Sequence, residues 1–442
     1  MYIKEFEITK LHGEYDYKVS FNRDITFIYG PNGCGKTTVL SLLSSIITNK
    51  FYKLLDYKFS KLNLIYGEGK KGKEYNLSVD IVNNEIDPYM VICSNGNSII
   101  IDEISTLKER LIRNNDEDLD ASFEELYPEI LSLKNIFHYV YLPLSRLAST
   151  EMPLNSSSYF RYKKYYLNQN LSNTYLNDSL LSIEELVKKS CNQININEIQ
   201  INNNFRKKVL SSATRVSKES PISQILSEID TINMTEVLRT KDAYINTLKD
   251  LEILDKELNT KIEQFFEEFG NEYEKHQDDE GKVSISYAFL YNDFLRIKQV
   301  VEFAKENEKA KEKNRHNKDL FTEVINDFFK TSGTDKEMFV NKKGEIYFST
   351  HNKNLELQDL SSGEKQIIIT FASYIFGIED STEGIYIVDE PEASLHLQWQ
   401  AKFVESLLKT NKKIQLIFAT HSPELIGKYD DKEELLEGIR NV

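Results

Sequence analysis

The 442-residue chain is poor in cysteine, proline and tryptophan, with three, eight and one respectively. Cys34, Cys93 and Cys191 are widely spaced, which excludes a disulfide framework and a cysteine metal knuckle and fits a reducing compartment. No apolar run approaches the ~20 residues of a membrane span. Residues Met1 to Lys10 alternate like a strand and lack the apolar core of a secretory signal. The expectation is a cytoplasmic protein with no membrane partner. An excess of basic charge is also missing: the net charge is −15. That excludes a surface basic throughout, but it leaves room for a local basic groove and keeps nucleic acid open as a ligand. Hydrophobic residues make up 40% and charged residues 28%, ordinary for a globular protein with a real core, and the length suits two or three domains.

What is present is more specific. Ile25 to Tyr29 is β-branched and aromatic and reads as a short buried strand. Gly30-Pro31-Asn32-Gly33-Cys34-Gly35-Lys36-Thr37 follows at once, and Thr38 to Ile47 has helical periodicity. Strand, glycine loop and helix form the context a phosphate-binding loop requires. Its glycines let the backbone curl so that N–H groups face phosphate oxygens, and the helix N-terminus adds partial positive charge. The candidate nucleotide contacts are Gly30, Asn32, Gly33, Gly35, Lys36, Thr37 and Thr38. Lys36 reaches the β- and γ-phosphates of such a nucleotide, and the Thr37 hydroxyl binds Mg²⁺. Cys34 reads as a tolerated small residue; a redox role needs an activated, accessible thiolate.

Near the other end, Ile385 to Val388 is a continuous apolar run ending in Asp389-Glu390, the pattern of a buried parallel strand. Two carboxylates at such a strand end are costly unless a ligand or a reaction uses them. Asp389 is the candidate Mg²⁺ ligand and Glu390 the candidate residue that polarises the attacking water. Ile414 to Ala419 reads as the next strand and delivers His421 to the same edge. An imidazole there suits a hydrogen bond to a γ-phosphate; a capped strand end is the other reading.

With Leu360-Ser361-Ser362-Gly363-Glu364 before that strand, the motifs resemble those of an ABC-type ATPase head in family order: Walker A, signature, Walker B, D-loop and switch histidine. The resemblance implies that Ser361, Ser362, Gly363 and Glu364, opening the helix over Gln366 to Tyr374, contact ATP held by a second copy. ATP and Mg²⁺ then tie two heads into a head-to-tail dimer. A Ser-Ser-Gly run opening a helix is also, by itself, a second anion-binding terminus. The text LSSGEKQ and Asp389-Glu390-Pro391-Glu392-Ala393-Ser394-Leu395-His396 is similar to SMC/RecF-like ATPases of the AAA_15/AAA_21 type. Members include the ATPase halves of OLD-family nucleases and of the Septu, retron-associated and PARIS anti-phage systems. The likeness covers roughly residues 1–50 and 345–425. No Q-loop glutamine can be placed; Arg146, after the strand-like Tyr139 to Leu142, fits either a nucleotide contact or a structural salt bridge.

The expected fold is α/β: a P-loop ABC-type head over 1–150 and 336–442 with an antiparallel β-lobe, and a mostly helical insertion over 151–335. Leu62 to Tyr66, Glu74 to Val82 and Met90 to Ile101 are strand-like, with turns at Asn83-Asn84 and Asn95-Gly96. Tyr244, Leu248, Leu251, Leu254, Leu258, Ile262 and Phe265 form an apolar stripe at helical spacing, short enough for a hairpin or bundle. Glu302 to Lys318 reads as a solvated helix or linker. Tyr159 to Tyr166 interleaves basic and aromatic residues, which suits base stacking or a partner-docking loop.

The function expected from the resemblance is an ATP-hydrolysing subunit of an anti-phage defence complex. Residues 422–442 are too few for a TOPRIM nuclease domain, so the effector, a nuclease, is expected on another chain. The alternative is a RecF/SMC-like DNA maintenance or repair ATPase. A transporter ATPase fits less well, because the D-loop text and the large insertion differ.

Overall fold

The computed structural model describes residues 1–69, 73–83, 87–102, 104, 107, 119–133, 137, 139–142, 174–214, 229, 232–278, 283–351, 353–378, 383–410 and 413–440. Asn84, Arg146 and the segment 159–166 lie outside the described residues. The chain forms two compact units, Met1–Cys191 with Asn317–Val442, and Asn192–His316.

Among the described residues the first unit carries three sheets. Strands β1 (Tyr2–Leu11), β2 (Tyr15–Ser20), β4 (Lys61–Glu68), β5 (Lys73–Val82), β6 (Tyr89–Ser94) and β7 (Asn97–Ile101) make the expected antiparallel lobe. The second sheet is parallel, in the order β14 (Glu433–Leu435), β3 (Ile25–Tyr29), β13 (Ile414–Thr420), β12 (Gly384–Asp389) and β8 (Tyr139–Leu142). Three short strands, β9 (Glu337–Val340), β10 (Ile346–Ser349) and β11 (Asn354–Leu355), complete the set.

The parallel sheet is apolar on both faces, and the period of two decides which helix meets which residue. Ile28, Ile385, Ile387, Ile417 and Ala419 pack with Val39, Leu40, Leu42, Leu43, Ile46 and Ile47 of helix α1 (Lys36–Ile47) and with the lobe. Their neighbours Phe27, Tyr386, Val388, Leu416 and Phe418 point the other way. They pack with helix α7 (Ser362–Gly377) and helix α8 (Leu397–Leu408). So α1 and α7 lie on opposite faces of one sheet. Buried Gln415 of β13 ties lobe to core: its amide exchanges hydrogen bonds with the Ile3 backbone, both 2.8 Å, and donates to Asn22 O at 2.7 Å.

The remaining helices are α2 (Leu119–Leu126), α3 (Thr174–Thr214), α4 (Met234–Asp250), α5 (Lys256–Asp278), α6 (Ile285–Thr331) and the single turn α9 (Pro423–Ile426). Within the second unit, α4, α5 and the start of α6 enclose a small core around Phe266, Phe269, Tyr287 and Phe294. The middle of α6 pairs with α3 through polar contacts, including Asn197 to Asn314 at 3.0 Å and Lys208 to Glu306 at 2.6 Å. Helices α3 and α6 run for 41 and 47 residues, while the apolar stripe falls on α4 and α5. No helix among the described residues is long and apolar enough to cross a membrane.

Candidate nucleotide site

Register brings the functional side chains together. Asp389 pairs with Ala419 and Thr420 with Tyr29, so β3, β13 and β12 end level at their carboxyl edge. That edge of an open parallel sheet is where ligands bind. The glycine loop leaves β3 there. Gly33 and Gly35 hold φ of 82° and 99°, the left-handed region that glycine enters without strain. Gly35 is the N-cap of α1, and no side chain caps the helix, so its first-turn amides stay open to an anion. Asn32 is exposed on the loop, Thr37 is exposed and Thr38 half-buried in the first turn. Tyr17 of the lobe supports the loop from behind: a Cβ on Gly35 would lie 3.1 Å from its hydroxyl.

Lys36 is 5% exposed and folded over its own loop. Its ammonium donates to Gly30 O at 2.9 Å, to Pro31 O at 3.3 Å and, at 2.6 Å, to His421 Nε2, which must therefore accept. His421 Nε2 is also 3.6 Å from Glu390 Oε1. Glu390 itself sits at φ 47°, unusual for a residue with a Cβ and costing on the order of 1–3 kcal/mol; such strain gathers at functional sites.

Asp389 is the most informative group. It is 3% exposed, and neither carboxylate oxygen has a hydrogen-bond partner. Burial pushes its pKa up to about 6; the Thr37 hydroxyl opposes this without completing a hydrogen bond, and Glu390 and Glu392 add repulsion. A buried orphan carboxylate facing a threonine hydroxyl at the edge of a phosphate cradle fits Mg²⁺. Among the described residues no group of three or more His, Cys, Asp or Glu could hold a metal. A cation here therefore relies on few protein ligands plus phosphate oxygens, the usual habit of Mg²⁺.

The signature residues are elsewhere. Ser361 and Ser362 are exposed at the start of α7, on the sheet face opposite α1. Ser361 Oγ accepts from Glu364 N and Glu364 Oε2 accepts from Ser361 N at 2.8 Å, a closed capping box. Lys336 Nζ donates to both Glu364 oxygens, at 2.8 and 3.0 Å. Burial alone would raise the Glu364 pKa, but Lys336 and Ser361 hold it below the usual carboxylate value. Glu364 thus spends its carboxylate inside its own chain. Gly363 is buried, and a Cβ there would sit 2.5 Å from Ser394 O.

Two features escaped the sequence reading. Glu392 accepts two hydrogen bonds from the turn carrying His421; the glutamate in place of the threonine or serine usual after Asp-Glu-Pro was the available signal. Leu436, following β14, lies against Gly30, with its amide donating to Tyr29 O at 2.8 Å. The chain then runs on as β15 (Ile439–Arg440) beside β2 of the lobe.

A family model described as an AAA ATPase domain matches residues 1–426. The chain belongs to that family. Among relatives of known name it is 34% identical over 98 residues to the Septu protein PtuA of Bacillus mycoides strain KBAB4, covering 21% of this chain and 14% of that protein. To the Septu protein PtuA of Bacillus thuringiensis it is 33% identical over 106 residues, 22% of this chain and 27% of that one. To the Retron Ec83 probable ATPase of Escherichia coli it is 32% identical over 98 residues, 20% and 18% respectively. The matched stretches are thus well under a third of these relatives' lengths. A solved Smc head domain from Pyrococcus furiosus aligns over 100% of this chain and 96% of its own at 13% identity and a TM-score of 0.41. Membership of that family gives the chain an ATPase domain over residues 1–426.

Proposed function

We propose that the chain binds and hydrolyses ATP with Mg²⁺ in a head-to-tail dimer, and that it controls a separate nuclease effector in an anti-phage defence complex. The observation that carries the chemistry is Asp389: a buried carboxylate without a partner, facing Thr37, between a phosphate cradle and the Glu390–His421 pair. Thr37 and Asp389 would hold Mg²⁺, which would supply charge neutralisation to the phosphates. Lys36 exchanges its contacts with Gly30, Pro31 and His421 for phosphate oxygens. That frees His421 to donate toward the γ-phosphate and Glu390 to orient a water and accept its proton.

The dimer is supported by the placement of the two helix termini. Thr37 at the first terminus and Ser361 and Ser362 at the second are exposed, and their helices lie on opposite faces of one sheet, so one chain does not close both termini around one phosphate. Two copies related head to tail can. Hydrolysis then removes the shared ligand, and the switch works because ATP has higher affinity for the closed pair. The defence setting and the effector are supported by the Septu and retron relatives.

The test is affinity purification of tagged Glu390→Gln protein from its native host with ATP present, followed by mass spectrometry. That variant is expected to bind ATP, hydrolyse it about 100-fold or more slowly and hold a stoichiometric nuclease. Recovery of replication or repair proteins with DNA, and no effector, replaces this reading with a RecF/SMC-like one. Wild-type turnover by Glu390→Gln removes Glu390 as the water-activating residue.

A further inference from the structure

We infer that Glu392 is a positioning residue for hydrolysis, acting through His421. The inference rests on the ATPase reading above and adds a residue to it. The β12–β13 ladder ends at Asp389–Ala419, with one last bond from Glu390 N to Ala419 O at 2.8 Å. Among the described residues no backbone hydrogen bond beyond that point joins the turn carrying His421 to the turn carrying Glu390. Glu392 supplies the link: its Oε1 accepts from the Thr420 hydroxyl and from the His421 backbone N–H, both at 2.7 Å. Thr420 is fully buried, and its hydroxyl accepts in turn from Ser422 N at 2.9 Å.

The link closes into a ring. Ser422 Oγ donates to Gln400 Oε1 at 2.7 Å, Gln400 Nε2 donates to Leu395 O at 2.8 Å, and Leu395 N donates to Glu392 O at 2.9 Å. Both turns are therefore held in one network, and His421 Nε2 stays within reach of Lys36 and Glu390. A residue needed only to cap a strand end has no use for a second carboxylate oxygen that is buried without a partner, yet Glu392 Oε2 is that. Such a cost is tolerated where a site demands it.

The experiment compares Glu392→Ala and Glu392→Gln in the full chain, alone and with His421→Ala. Glu392→Ala is expected to lower kcat about 10- to 100-fold while the KM for ATP moves less than about twofold. Glu392→Gln, whose amide oxygen can accept the same two bonds, recovers most of that loss. In the His421→Ala background, Glu392→Ala adds less than about twofold, because both changes remove one function. A second readout is free of turnover: in protein labelled with ¹⁵N only at histidine, the His421 backbone amide proton, assigned by its loss in His421→Ala, moves upfield in Glu392→Ala and not in Glu392→Gln. Additive losses, a KM effect in place of a kcat effect, equal losses in the Ala and Gln variants, or an unmoved amide each overturn the role. An amide shift in Glu392→Ala together with no turnover by the wild-type chain sinks the ATPase reading and takes this role with it, while leaving the hydrogen bond standing.

Discussion

The two serine- or glycine-led helix termini, at α1 and α7, look alike as text and differ as structures. At α1 the N-cap is a left-handed glycine, no side chain satisfies the first-turn amides, and an embedded lysine waits at the centre. At α7 the N-cap is Ser361, bonded in a closed box with Glu364, which Lys336 then anchors. The first end keeps its donors for a ligand. The second satisfies itself and offers exposed serine hydroxyls from a stiff platform. A cradle that wraps phosphate needs open amides; a lid that meets phosphate already held elsewhere needs shape more than donors. The glycines repeat the contrast. Gly33 has nothing within 4 Å of a would-be Cβ but needs its positive φ, whereas Gly363 is helical and needs the room.

The sharpest way to break the comparison is Ser362→Arg in the Glu390→Gln background. If α7 is a lid for a second copy, ATP-dependent dimerisation is abolished, as read by light scattering after size exclusion, while nucleotide affinity changes less than about twofold. An intact dimer would mean α7 is an ordinary capped helix. Next is Lys36→Ala, which strips the cation from α1 alone. Losing hydrogen bonds between the ammonium and phosphate costs about 2–3 kcal/mol, a factor of roughly 30–150 in Kd, measured by titration with a fluorescent nucleotide.

The glycine pair gives a smaller, cleaner test by thermal and urea unfolding without nucleotide. Gly363→Ala drives a methyl to 2.5 Å from a backbone oxygen that cannot swing aside, and it should cost about 1–3 kcal/mol, toward the upper end. Gly33→Ala meets no atom and should cost about 1–2 kcal/mol from φ alone. Equal melting of the Gly363→Ala variant and wild type would remove the tight contact with Ser394.

The α1 terminus was more legible in the sequence than the α7 terminus, for a physical reason. Strands β3, β12 and β13 are buried on both faces, so their unbroken apolar runs announce them, and the loop glycines and terminal carboxylates punctuate their ends. The signature helix could be placed, but not what Glu364 does there, because a capping box and a ligand contact use the same letters. In the second unit, periodicity marked the helices of a hairpin but not the turn between them. The stripe from Tyr244 to Phe265 crosses a break: α4 ends at Asp250, Leu251 is exposed, and Glu252 turns at φ 57° before α5 begins. Spacings of 3 and 4 can run on through a turn, so they do not reveal it. The charged run from Glu302 to Lys318 is helix inside α6, paired with α3 by Lys208–Glu306, Arg315–Glu198 and Asn197–Asn314. Polar pairing of that kind leaves no hydrophobic signature. Strands β14 and β15, three and two residues long, are too short to show alternation.

The smallest effect concerns Asp389, a group whose cost is visible in the protein alone. Burial raises its pKa from 3.8 to about 6, so between about pH 4 and 6 the folded chain binds more protons than the unfolded one. The sign follows: this residue favours folding when protonated and opposes it when ionised, so its contribution to stability falls as pH rises through that window. Asp389→Asn removes the titration while keeping the shape. It should therefore be more stable than wild type at pH 7–8, on the order of 1–2 kcal/mol without a divalent cation, with the gap closing as pH falls toward 4. Urea unfolding of both proteins at stepped pH measures this. Mg²⁺ with nucleotide should narrow the gap at pH 7–8, because only the carboxylate gains a ligand. An Asn variant less stable than wild type at every pH would mean that Asp389 is held by bonds of its own, and the case for a cation between Thr37 and Asp389 would lose its support.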